Sequence, residues 1–281
     1  MRWILLGLFA PTVALAQGIN TNAALPVAQG EGIWRSQLRY VHASRDPSPA
    51  ERKVQAWVAP QTLVVGFTLR LTGFATLPLL MHRRVESVSG TDRTGLTLGD
   101  PTLLGRYTLW RDDYAPLSTR RAALLAGGKL PTSTARQSTE TFDPTVGSVA
   151  TWAADRHELD VDALYTISTQ RMGFQQGQRL RYDLAYRYRV WPRRFGRRLL
   201  QLNALLELNG EWSARNRLDG DRVAASGGHL LFLSPGIQAI SQRWVLEASL
   251  QLPVVRNLYG ARVEPDLVAV LSVRIPFELP H

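Results

Sequence analysis

The chain has 281 residues, a formal net charge of +10 and a sequence pI near 10.6, and only Lys53 and Lys129 of its 33 basic residues are lysines. The arginines recur singly and in alternation, not in one run or along one helix face, which argues against nucleic acid as a partner despite the pI. The absence of cysteine leaves nothing for a disulfide framework, a thiolate metal site or a lipoprotein anchor.

Residues 1–16, within "MRWILLGLFAPTVALAQG", read as a secretory leader: Arg2, an apolar run, then the small-x-small signal Ala14-Leu15-Ala16. An exported chain without disulfides suits a Gram-negative envelope. Residues 17–31, "QGINTNAALPVAQGE", form a short arm, either periplasmic or inserted. No later stretch offers 18 consecutive apolar residues, so a helical membrane span is not expected.

Alternation dominates from there. Trp34, Leu38 and Tyr40 oppose Arg35, Gln37 and Arg39. Leu63, Val65, Phe67, Leu69 and Leu71 oppose Gly66, Thr68 and Arg70. Leu159, Val161, Ala163, Tyr165 and Ile167 oppose Asp160, Asp162 and Thr166. Tyr182, Leu184, Tyr186 and Tyr188 oppose Asp183, Ala185, Arg187 and Arg189. Leu202, Ala204, Leu206, Leu208 and Trp212 oppose Gln201, Asn203, Glu207, Asn209 and Glu211. Leu246, Ala248, Leu250 and Leu252 oppose Glu247, Ser249 and Gln251, and Leu271, Val273 and Ile275 oppose Ser272 and Arg274. In an extended strand such parity puts one set on each face. The pattern predicts about twelve strands, over 32–43, 52–59, 62–73, 98–111, 119–130, 145–154, 157–169, 179–191, 198–212, 227–239, 243–254 and 266–277. Short connections fall near "APQT", "RDDYAPLS", "ADR", "PRRFGR" and "ISQR"; long ones cover 44–51, 74–97, 131–144, 170–178, 213–226 and 255–265.

Short turns at one end and long loops at the other describe an all-β transmembrane antiparallel β-barrel over residues 32–281, with periplasmic turns and extracellular loops. Lipid requires every backbone polar group to be paired, so a spanning sheet must close. A soluble sandwich would alternate too. The leader, strands longer than the about five or six residues usual in soluble sheets, and aromatic residues at strand ends favour the barrel. Those aromatics are Tyr40, Trp110, Trp191, Trp212, Trp244 and Phe277.

On that geometry the lumen-lining candidates are Arg35, Gln37, Arg39, Arg70, Arg106, Asp183, Arg187, Arg189, Gln201, Asn203, Glu207, Asn209, Glu247, Gln251 and Arg274. They would either orient a solute or fill the barrel with ion-pair networks, since buried charges are usually paired. Phe74, Leu77, Leu79, Leu80 and Met81 are greasy for a solvated loop. They make an apolar landing site at the extracellular mouth, a longer third strand, or a loop folded onto the rim. Arg83 and Arg84, and Arg215, Arg217 and Arg222, suit lipopolysaccharide phosphates, which match the guanidinium fork, or are simply solvated. Gly105, Gly127, Gly128 and Pro235 mark bends where a wall gap could open. The five histidines form no lipase or protease signature, "DGD" at 219–221 lacks the spacing of a calcium loop, and no dinucleotide or P-loop motif occurs. No catalysis, cofactor or metal is expected.

Six stretches carry a resemblance: "LTLGDPTLLGRYTLW" (96–110), "AALLAGGKLPT" (122–132), "DLAYRYRVW" (183–191), "LLELNGEW" (205–212), "LFLSPGIQAI" (231–240) and "LEASLQLPV" (246–254). In this order they resemble the outer-membrane family known as the MetA-pathway of phenol degradation. That family sits with the hydrophobic-compound channels that include FadL-type fatty-acid and TodX-type toluene transporters. The resemblance implies passive uptake of small hydrophobic solutes, aromatic ones among them; the residues leave open the alternative of a structural or binding barrel with a closed lumen, whose loops hold a partner or lipopolysaccharide. Outer-membrane lipid, lipopolysaccharide and the barrel-insertion machinery are the implied partners. FadL-type channels carry a plug-like N-terminal segment, much longer than 17–31 here. Barrels of this kind usually end at an aromatic residue, whereas here Phe277 is followed by Glu278, Leu279, Pro280 and His281.

Overall fold

A computed structural model describes residues 18–132, 140–193 and 200–279. The leader at 1–16, part of the 131–144 loop and most of the "PRRFGR" turn lie outside the described residues.

Alternating apolar and polar side chains produce twelve barrel strands, each antiparallel to its neighbours. They are β1 (Glu31–Arg45), β2 (Lys53–Val58 and Gln61–Gly66), β3 (Leu71–Leu77 and Leu79–Ser87), β4 (Thr102–Ala115), β5 (Ser118–Lys129) and β6 (Asp143–Ala154). There follow β7 (His157–Thr166), β8 (Arg179–Trp191), β9 (Leu200–Ser213), β10 (Gly228–Ser241), β11 (Val245–Leu258) and β12 (Glu264–Glu278). The barrel closes because β12 pairs back onto β1, from Glu31–Glu278 to Arg45–Glu264. Closure leaves no edge, which is what a sheet in hydrocarbon requires. The start of β1 and the end of β12 lie at the short-turn end, where Leu279 N–H donates to the Gly30 carbonyl (2.8 Å); in outer-membrane barrels this end is periplasmic.

Two strands run differently from the sequence reading. "APQT" is not a turn: Ala59 and Pro60 interrupt one continuous strand, whose upper part pairs with Arg39–Ala43 and lower part with Gly32–Ser36 of β1. The true turn falls at 67–70, inside the apolar run "LVVGFTLRL". Phe67 and Leu69 are exposed there (56% and 70%), so alternation continues across a chain reversal and hides it. The predicted 74–97 loop is instead β3 and its return. Leu71–Thr76 pair with β4, and beyond the Pro78 interruption Lys53–Val58 pair with Leu80–Glu86. A ribbon, Gly90–Thr94 and Thr97–Leu98, then folds back along Leu79–Ser87.

The outer wall is apolar: Leu184, Tyr186, Leu206, Leu246, Leu250, Leu271 and Ile275 are all at least 39% exposed. That band is what lipid covers, with tryptophans near both rims. The inner face is buried and mixed: charged and amide side chains alternate with apolar ones such as Leu125, Leu164, Leu205 and Val270. Above the rim, loops 167–178 and 214–227 meet in a small second sheet of Gln170–Arg171, Phe174–Gln175, Arg217–Leu218 and Asp221–Arg222.

One seam is incomplete. β11 and β12 pair from Val245–Arg274 up to Gln251–Val268. Above that, β11 continues against β10 to Leu258, and β12 against β1 to Glu264. Pro253 and Pro265 flank the unpaired stretch; proline has no N–H for a ladder bond. The Arg256 side chain bridges it, Nε donating to the Pro265 carbonyl (3.0 Å).

Candidate functional site

The interior is built around residues 18–28, which enter from the β1 end and lie inside the barrel. Gly66 marks the entry: a Cβ there would stand 2.1 Å from the Ala28 carbonyl, so only glycine lets the arm pass this close. Ile19, Ala23, Ala24, Leu25 and Val27 are all buried. Three of them join wall clusters: Ile19 with Leu205, Val268 and Val270; Ala24 with Ala123, Leu125, Val149 and Leu164; Val27 with Ile33, Val64, Ile240 and Val245.

An arm without regular structure has unpaired backbone groups, and burying them unsatisfied would be costly. The inward charges satisfy them. Carboxylates take the N–H groups: Glu207 accepts from Ile19 (2.7 Å) and Asn20 (3.0 Å), and Asp162 from Asn22 (2.5 Å). The Thr151 hydroxyl accepts from Ala24 N–H (2.8 Å). Guanidinium groups take the carbonyls: Arg274 donates to Gly18 (2.8 Å), Arg35 to Ile19, and Arg106 to Ala23 and to Leu25 (2.5 Å). Side chains complete the grip. Asn20 Nδ2 donates to Glu207 (2.7 Å), Arg39 to Asn20 Oδ1 (2.9 Å) and Gln37 to the Ile19 carbonyl (3.3 Å), and Asn209 reaches Thr21 (3.5 Å).

Glu247 organises the layer beside it. It pairs with Arg274 (2.7 Å) and Arg35 (3.2 Å) and accepts from Gln238 (2.8 Å), while Asn203 lies between Gln201 and Gln238. Higher up, Asn209 donates to Asp183 (2.9 Å) and accepts from Ser234 (2.7 Å) and Gln251 (3.4 Å). Arg187 pairs with Glu158 and Arg189 with Asp155 (2.7 Å), away from the arm.

Arg70 has no place in this interior: it is exposed in the 67–70 turn, because the chain reverses before reaching it. Phe74 is not at the mouth either. It faces inward with Thr72, packs on the Val27 cluster and carries Arg106 over its ring at 5.1 Å. Leu77 and Met81 are exposed, and Leu79 and Leu80 are strand residues paired to Leu98 and Thr97. Arg83 and Arg84 sit on the same strand, with Arg84 paired to Glu86 (2.5 Å). Arg215, Arg217 and Arg222 lie in the loop layer above the barrel.

The arm's contacts Asp162 and Thr151, and Gln238 beside Glu247, were absent from the candidates. Asp162 shares the inward parity of β7, so alternation could have found it. The arm contact could not be read that way, since it spans 140 residues of sequence. His42, Ser44 and Asp266 come together near the top of β1. The Ser44 hydroxyl donates to Asp266 (2.7 Å) rather than to the imidazole.

A closed twelve-stranded sheet, apolar outside and charged within, is an outer-membrane β-barrel. Over residues 50–252 the chain matches the family "Putative MetA-pathway of phenol degradation", and it belongs to that family. No curated protein matches it in sequence. Among solved structures it is similar to an outer-membrane channel from Pseudomonas putida F1, at 16% identity and a TM-score of 0.65, with 95% of this chain and 99% of that one covered. It is also similar to the β domain of the Bordetella autotransporter BrkA, at 12% identity and a TM-score of 0.50, covering 89% of this chain and 100% of that one. At these identities the likenesses speak to the fold.

Proposed function

We propose that the protein is a channel for passive uptake of small hydrophobic compounds, aromatic ones among them, across the outer membrane. Family membership supports the solute class, and the similar Pseudomonas barrel is described as a channel. The arm carries the reading of the route. It lies in the lumen with its backbone groups bound by buried Glu207, Asp162, Arg106 and Arg274. A lumen occupied in this way disfavours axial passage of a solute, because the solute would displace satisfied charge-assisted hydrogen bonds. The unpaired upper part of the β11–β12 seam supports an exit toward lipid instead. A solute entering at the loops leaves sideways there and partitions into the bilayer, where burying its apolar surface is favourable.

The test is uptake of a radiolabelled apolar aromatic, toluene for example, by cells with and without the protein, together with conductance in a planar bilayer. Faster uptake with small or absent steady current supports the reading. Unchanged uptake favours the closed structural barrel, and a large steady anion current makes the protein a porin.

A further inference from the structure

We infer that the loop layer above β8–β11 holds a built site for a phosphate group of an outer-leaflet glycolipid of the lipopolysaccharide class, a binding function separate from solute passage. A cavity of about 480 Å³ lies there, lined by Gln175, Trp212, Arg215, Arg217, Arg222 and Tyr259 among others. The small second sheet dictates its charge. Gln175 pairs with Arg217 and Arg217 with Arg222, and residues directly opposite in an antiparallel pair share a face. Two guanidinium groups therefore stand side by side, an arrangement that destabilises a sheet unless an anion sits between them.

The carboxylates that could neutralise them are turned elsewhere. Asp221 pairs with Leu218 and so lies on the opposite face. Asp219 is turned to Gly173, where a Cβ would stand 2.1 Å from its Oδ1. Glu140 is committed to Arg171 (2.7 Å). Among the described residues no carboxylate comes within ion-pair distance of Arg215, Arg217 or Arg222. Arg215 is instead stacked on the Tyr259 ring, 5.0 Å from its centroid, which fixes a third guanidinium at the rim of the cavity. Planar forks held this way suit the oxygens of a phosphate.

The height of the cavity selects the lipid. Its lining residue Trp212 shares the outward parity of Leu202, Leu206 and Leu208. Beside it on the outer wall, Tyr182 is hydrogen-bonded to His229 (2.5 Å), and Tyr165 is bonded to Gln178 of the cavity wall. These side chains form an aromatic girdle of the kind found at headgroup level. The arginines stand directly above it, where the phosphates of an outer-leaflet glycolipid lie.

The experiment uses the full barrel, refolded and purified free of lipopolysaccharide. Bound lipid is counted by native mass spectrometry during titration with bis-phosphorylated lipid A, with the same glycolipid stripped of its phosphates, and with pyrophosphate as a competitor. We expect saturable binding of the phosphorylated form. We expect binding at least tenfold weaker for the dephosphorylated form and for R217Q/R222Q, with an intermediate loss for R217K/R222K, which keeps the charge without the fork. Both variants lie in exposed loops, and heat-modifiable migration on gels verifies that each barrel is folded. Equal binding of the two glycolipids, or by the glutamine variant, overturns the site. Lysine variants that bind as tightly as wild type reduce it to general charge attraction. Pyrophosphate that displaces lipid A at concentrations below that of the lipid makes it a site for soluble anions instead.

Discussion

Glu207, on the inward face of β9, receives the backbone N–H groups of Ile19 and Asn20, residues 188 and 187 positions away in the chain. One carboxylate thus fixes the turn by which the arm crosses the lumen. Hydrogen bonds to a charged group contribute about 1.5–3 kcal/mol each. E207A should therefore weaken arm binding by at least about 3 kcal/mol, the low end for the two bonds, and raise the population of the released state at least roughly a hundredfold. Single-channel records should show bursts of conductance that are rare in wild type. A trace indistinguishable from wild type would mean the arm is held by its apolar clusters alone.

Thr21 touches Asn209 from inside the arm (3.5 Å), and the absence of native cysteine makes this contact easy to lock. T21C/N209C joined by a short thiol-reactive cross-linker should abolish the conductance bursts when combined with E207A. If solute leaves through the seam, uptake of an apolar aromatic continues in the locked protein. Loss of uptake on locking, with recovery in the uncross-linked control, would put the solute path through the space the arm occupies.

Pro253 and Pro265 flank the part of the seam where pairing stops after Gln251 and Val268. P253V/P265V restores two N–H donors and two β-formers at once, so the ladder can continue upward. Apolar uptake should fall several-fold, with conductance unchanged and thermal stability raised. Uptake equal to wild type in a barrel that has demonstrably gained stability removes the seam from the route.

How much of this the sequence shows depends on the range of the interaction. Parity is local, so Glu207 and Asn209 can be turned to one face from "LLELNG" alone, and the opposing leucines to the other. The same rule fails across 59–87. There Pro60 and Pro78 interrupt continuous strands and read as loop signals, while Phe67, Leu69 and Leu71 carry an apolar pattern through a real turn. A turn at a membrane rim tolerates exposed apolar residues, so composition does not mark it. The arm is the harder case. "INTNAALPV" has no period of either kind, and its partners, Glu207, Asp162 and Arg106, are each more than 80 residues away. Nothing local distinguishes a segment that fills a lumen from a linker; only the closed barrel brings its receptors together.

The loop between β1 and β2 offers a test outside the membrane-spanning strands. Asp46 accepts from Arg52 Nε (2.7 Å), Arg52 N–H (2.9 Å) and the Ser48 hydroxyl (2.8 Å). Arg52 also reaches the Ala261 carbonyl (3.3 Å) in the β11–β12 loop, so the pair ties two loops together over the upper end of the open seam. The loop stands in water while its own residues enclose the carboxylate. The Arg52 guanidinium, helped by the Ser48 and Arg52 N–H groups, holds the Asp46 carboxyl well below the usual carboxylate range. A carboxyl whose pKa is lower in the folded state stabilises it fully above its unfolded value. That contribution disappears as the pH falls through the folded value. The loop tie should therefore persist from neutral pH down through about pH 4, the ordinary aspartate range, and loosen only in stronger acid. NMR amide shifts of Ser48 and Arg52 should stay flat across that range, and D46N should give loosened-loop shifts already at neutral pH. Amides that titrate in wild type with a midpoint near about 4 would show that Arg52 does not hold Asp46 in solution, leaving the loops above the seam untied.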